Sequence, residues 1–245
     1  MPRPTVCKGQ GGRDILPPMN SRLAVLILSL SFCAVESSAD WQGAVCRVDI
    51  TPKKEMWMGG YSSRTGPGSG STTKLFAKVL VLADGQGSRS AMVTLDLIGV
   101  PRPLRLEVEK RVGDEFDLSP AELFLNASHT HSGPMIRLIP GFAPGKPDRA
   151  AFDRVPDDEE ERYVALAQEY RRKLTAGIVA GIGECLAALE PVELLFSEAR
   201  CGVAMNRRFI TERGVSNSPN PDGPVDHAVP VLQMRSMKQE LKAIL

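Results

Sequence analysis

Histidine is scarce in this chain, with three in 245 residues, and aromatic side chains make up only 5%. Neither sign of charge is in excess, since 30 lysines and arginines face 29 aspartates and glutamates. Without a positive field or a basic stripe interleaved with aromatics there is no electrostatic footprint for phosphate backbones, so nucleic acid is excluded as an expected partner. Cysteine is also sparse. Once a leader ending near Ala39 is set aside, only Cys46, Cys185 and Cys201 remain, an odd number with no C-x-x-C spacing. Neither a zinc knuckle nor a disulfide scaffold is implied, and at most one bridge can form. Cys185 and Cys201 flank a helix-to-strand connection and could approach; the alternative is separate buried thiols behaving as small hydrophobes. No apolar run reaches the roughly 20 residues of a membrane span.

The longest apolar run, Leu23 to Ala34, follows Arg22 and precedes Ser37-Ser38-Ala39. That order of basic, apolar and small residues is the pattern of a secretory signal peptide, with cleavage expected after Ala39 and an N-terminal helix or anchor as the alternative. Met1 to Pro18 is basic and rich in proline and glycine, and Met19 opens a more ordinary leader. The expected organisation is a leader over residues 1–39 and one domain over 40–245, secreted or periplasmic. With 42% hydrophobic residues, about 200 mature residues are enough for one substantial core.

Runs of strand-forming residues are expected near Ala44–Ile50, Leu75–Ala83, Ser90–Leu97, Leu123–Ala127, Val192–Arg200 and Val229–Met234. Helical spacing is expected over Leu104–Phe116, with Leu106, Val108 and Val112 among charged residues, and over Glu159–Leu189 through Val164, Leu166, Leu174 and Ile178. Strands alternating with helices predict an α/β domain with a mixed sheet. Two loops interrupt it: Gly59–Thr73, rich in glycine and serine, and the proline-bearing Arg137–Asp158, which is either a closing loop or an insertion without a role. The acidic run Asp157–Glu161 is expected as the first turn of the long helix, favoured by its dipole.

The chemistry concentrates in Asn126-Ala127-Ser128-His129-Thr130-His131-Ser132-Gly133-Pro134, which holds two of the three histidines just past an apolar strand. If the extended backbone persists through Thr130, both imidazoles point to one side. They could then face one zinc ion, which in a catalytic site holds about three protein ligands and a water. The alternative is a chance pair, one ring bonded to backbone and the other in solvent. Asp96, ending an apolar strand in T-L-D-L-I-G, could orient a ligand histidine. Arg207, in N-R-R-F, could bind a carboxylate product. Each could equally satisfy local backbone. His227, opening the apolar D-H-A-V-P-V-L, is expected to be structural.

S-H-T-H-S-G-P resembles the zinc-site segment of the neutral/alkaline ceramidases, secreted amidases that cleave the N-acyl bond of ceramide. V-D-I-T-P at Val48–Pro52, M-G-G-Y at Met58–Tyr61, the run Ala77–Gly85, T-L-D-L-I-G at Thr94–Gly99, M-N-R-R-F at Met205–Phe209 and D-H-A-V-P-V-L at Asp226–Leu232 follow in the same order. The resemblance covers roughly Ala44 to Leu245 and is closest to shorter bacterial relatives. It implies His129 as a zinc ligand and His131 as the second histidine lining the active site, completed by Ser132 and Gly133. The family's later histidine, glutamate and tyrosine ligands and its active-site serine have no matching position here, so the resemblance implies the front part of a longer enzyme. The expected function is the N-terminal catalytic portion of a secreted zinc-dependent amidohydrolase, acting on a ceramide-like lipid with peripheral contact to a membrane surface. The alternatives are a catalytically inactive secreted protein and a metal-dependent hydrolase of another substrate.

Overall fold

Strand β1, Trp41–Asp49, pairs antiparallel along its whole length with β2, Phe76–Asp84, from Trp41↔Asp84 to Asp49↔Phe76. This computed structural model describes residues 41–61, 63–136 and 160–245. They lie in one compact unit, Ser38–Leu245. The expected leader and the loop Arg137–Asp158 lie outside the described residues. A tight turn in which the Asp84 carboxylate accepts from the backbone of Gln86 and Ser88, with Gly87 at φ +87°, leads into β3, Arg89–Leu95. Helix α1, Arg102–Phe116, then crosses to β4, Leu123–Ala127, which lies parallel to β3.

Helix α2, Glu160–Ala187, returns the chain to the other side of β1. There β5, Glu190–Arg200, pairs with β1 only through Trp41–Gly43. A small hairpin of β6, Arg208–Thr211, and β7, Gly214–Asn217, precedes β8, Ala228–Ser236, and β9, Leu241–Ile244. The sheet order is β4-β3-β2-β1-β5-β8-β9, with β3–β4 its one parallel pairing. The mixed α/β sheet expected from sequence is what the chain forms.

The strands of β2 and β3 alternate between two faces, as side chains with a period of two must. Ala77, Val79, Val81, Ala91, Val93 and Leu95 bury one face under the helices, against Leu104, Val108 and Val112 of α1 and Leu174, Ile178 and Ile182 of α2. Leu80, Leu82, Val192 and Met234 form a smaller cluster on the other face. Helix α1 therefore buries the i, i+4, i+8 series beginning at Leu104; Leu106, placed on that stripe by the sequence reading, is 48% exposed. The β6–β7 hairpin was not expected. Its apolar residues, Phe209, Ile210 and Val215, are exposed, so no burial alternation marks it.

Of the two readings of the cysteines the structure has separate thiols: all three described cysteines are free, although Cys201 is exposed rather than buried. Cys185 is buried against β2, its thiol donating to Val79 O, and the Cys46 thiol on β1 donates to Gly181 O one helical turn before it. Cys201 is exposed and belongs to a different part of the structure. The packing of α2 onto β1, not the connection into β5, decides which thiols approach each other.

Candidate functional site

Three loops leave the same edge of the sheet. Because β1 and β3 are both antiparallel to β2, and β4 is parallel to β3, the carboxyl ends of β1, β3 and β4 lie together. Ligand sites in open sheets with parallel strands favour that edge. The loop after β4 is tied to the loop after β3 by the Ser128 N–H donating to Leu95 O (3.0 Å), and to the loop after β1 by Gly59 N–H to Gly133 O (2.9 Å) and Met135 N–H to Trp57 O (2.8 Å).

The extended backbone stops at Ala127, and His129 takes a left-handed conformation at φ +59°. Strand alternation is thus not what brings the histidines together. The kink at His129 sends its ring toward the β3 loop, where Nδ1 lies 2.7 Å from Ile98 O. A carbonyl only accepts, so Nδ1 donates to it and Nε2 is left out of this contact. The orienting contact proposed for Asp96 is therefore made by the Ile98 carbonyl. The Asp96 carboxylate instead accepts from Phe76 N–H at 2.9 Å and lies 4.0 Å from Lys78 Nζ, bracing the start of β2.

The His131 ring, half-buried, meets that of His129 edge to face, with centroids 5.3 Å apart, and that of Tyr61 at 4.8 Å. Arg64 reaches over the Tyr61 ring, 5.4 Å from its centroid, and donates to the His131 carbonyl. Gly60 allows this approach. It sits at φ +90°, and a Cβ there would fall 2.3 Å from His131 Cγ. Gly133 is equally constrained, since its Cβ would fall 2.8 Å from Asp96 O. Beneath the loops, the buried Tyr163 hydroxyl of α2 donates to Met135 O (2.6 Å) with Trp57 O at 3.3 Å, and burial pushes its pKa up.

The structure brings His129, His131, Ser132 and Gly133 together and adds Gly60, Tyr61 and Arg64, which sequence reasoning passed over as part of a loop. The M-G-G-Y motif was the available signal. Arg207 is not joined to them: it bonds to Asn217 at the base of the β6–β7 hairpin. His227 is paired with Cys201, its Nδ1 lying 3.0 Å from Cys201 O while Cys201 N–H donates to His227 O.

The donor chemistry suits one position of a zinc site. A histidine that donates Nδ1–H to a backbone carbonyl and offers Nε2 has the arrangement ligating histidines adopt. Yet among the described residues no three histidine, cysteine, aspartate or glutamate side chains gather where they could hold a metal.

Residues 42–138 match the family model described as neutral/alkaline non-lysosomal ceramidase, N-terminal. Over that stretch the chain is similar to this family. It is 33% identical over 119 residues to the neutral ceramidase of Drosophila melanogaster and 31% identical over 120 residues to that of Drosophila pseudoobscura pseudoobscura. These alignments take in 47% and 46% of this chain and 17% of each relative, so the chain spans about a sixth of their length. Among solved structures, the neutral ceramidase from Pseudomonas aeruginosa superposes with a TM-score of 0.59 at 21% identity, over 82% of this chain and 30% of that one. A ceramidase complexed with C2 gives 0.58 at 22% identity, over 84% and 30%. The ceramidase-like stretch contains every residue of the three-loop site.

Proposed function

We propose that this chain forms the front half of the active site of a zinc-dependent amidohydrolase that cleaves the N-acyl bond of ceramide-like lipids. The observation that carries this reading is His129, held by Ile98 O so that Nε2 is offered beside the His131 ring. His129 would hold the metal, with further ligands needed from outside the described residues. When bound, zinc polarises a carbonyl and lowers the pKa of a coordinated water to about 7. His131, packed between Tyr61 and His129, takes or returns a proton at its imidazole as the amide is attacked. Gly60 and Gly133 keep backbone and ring close, and Arg64 and Tyr61 fix the ring's orientation.

Export through the Leu23–Ala34 leader and contact with a membrane surface, where such a lipid resides, belong to the same proposal. The test uses the protein expressed from its complete gene. His129→Ala is expected to remove zinc and hydrolysis of an N-acylsphingosine together; retained zinc with normal turnover overturns the assignment. A second reading, a binding protein without catalysis, is favoured by the short count of metal-ligand side chains among the described residues. Stoichiometric zinc and amide hydrolysis by the 245-residue chain would exclude it.

A further inference from the structure

Helix α2 lies unusually close to β1. Added Cβ atoms at Gly177 and Gly181 would sit 3.1 Å from Val48 side-chain carbons, and that at Gly181 also 3.3 Å from Cys46 Sγ. With glycine at both positions the helix backbone itself contacts the strand, and the Cys46 thiol donates to Gly181 O at 3.4 Å. Cys185 is one turn further along the same helix face, since i and i+4 share a face. Its thiol points to Val79 O, 3.9 Å away, and Val79 is the cross-strand partner of Cys46. The two side chains therefore converge from helix and strand on one place.

We propose that Cys46 and Cys185 form a dithiol/disulfide site that clamps α2 to β1. The inference stands apart from the enzymatic reading. In the closing step a thiolate of the pair attacks a sulfur of a small-molecule disulfide such as oxidised glutathione, releasing one thiol and leaving a mixed disulfide. The second thiolate displaces the other thiol and forms the Sγ–Sγ bond. Two cysteine protons are lost, and the reagent gains two electrons to leave as two thiols. Burial pushes both thiols above their ordinary pKa, which makes the native, reduced pair slow to react because the thiolate is the nucleophile. Closure is therefore expected during folding or after opening of α2. Among the described residues the exposed Cys201 is the competing thiol.

The test compares the full chain and a Cys201→Ser variant, each oxidised with a glutathione redox buffer both as folded protein and during refolding. Free thiols are then alkylated under denaturing conditions and the cysteine-bearing peptides are identified by mass spectrometry. The expected result is a Cys46–Cys185 linked peptide in refolded protein of both variants, with a Tm higher than the reduced form by roughly 10 °C, because a long loop is closed. Recovery of Cys46 and Cys185 singly alkylated or in other pairings after both treatments overturns the proposal. So does a linked form that melts no higher than the reduced chain.

Discussion

Replacing Gly60 with alanine puts two costs on one atom. At φ +90° a side chain meets the backbone strain of the left-handed region, about 1–2 kcal/mol. The new Cβ also falls 2.3 Å from His131 Cγ and 2.6 Å from its Cβ and Nδ1, a contact that atoms cannot share. Relief requires the ring or the loop to move, and overpacking of this kind costs about 1–3 kcal/mol. The sum, about 2–5 kcal/mol, is a large part of the roughly 5–15 kcal/mol that holds a domain folded. Gly70 is the matched control, because a Cβ there meets nothing within 4 Å. Urea unfolding followed by circular dichroism should show a lower midpoint for Gly60→Ala at unchanged slope, and Gly70→Ala within about 0.5 kcal/mol of the parent. In the folded Gly60→Ala protein the His131 ring resonances should shift, because the ring must leave Tyr61 or His129. Equal stability of the two variants would refute the argument that Gly60 and His131 share this space.

Other expected outcomes follow from the same contacts. Tyr163→Phe removes the donor to Met135 O and leaves a buried carbonyl unsatisfied, a loss of about 1–3 kcal/mol readable by thermal or chemical denaturation. Leu104→Ala should cost about 2–5 kcal/mol as a cavity opens in the core, whereas Leu106→Ala should stay within about 0.5 kcal/mol. Glu169 is held at a pKa of about 2 by Lys173 and Lys54. A carboxylate depressed in the folded state contributes above its unfolded pKa and loses that contribution as pH falls towards the folded value. Glu169→Gln should therefore flatten the acid limb of the stability profile between about pH 4.5 and 2, and added salt should shrink the difference. Equal acid midpoints for the two proteins would count against the pairing.

Much of this architecture is readable from local pattern. The β2 run Val79-Leu80-Val81-Leu82 and the five-residue β4 stand out because apolar density at that length needs no distant partner to be recognised. The long α2 is marked by apolar residues at helical spacing, and the histidine pair by its place just past a strand. Helix α1 shows where the pattern runs short. Leu104 and Leu106 are equally apolar, and only the position of the sheet decides which one is buried. The β6–β7 hairpin carries no alternation because its apolar side chains are exposed on both sides.

Residue type and order along the chain determined the mixed α/β fold, the strand-to-loop placement of His129 and His131, and the likeness to the ceramidase N-terminal region. Tertiary structure decided which atoms those residues use. Ile98 orients His129 from 31 residues away, Tyr163 pins Met135 from 28 and Trp57 from 106, and Cys46 reaches Gly181 from 135. Such contacts leave no local period in the sequence, because they depend on the register of strands and the close approach of a glycine-bearing helix face. Backbone carbonyls, which every residue possesses, supply the orienting groups, so side-chain identity alone could not have named them.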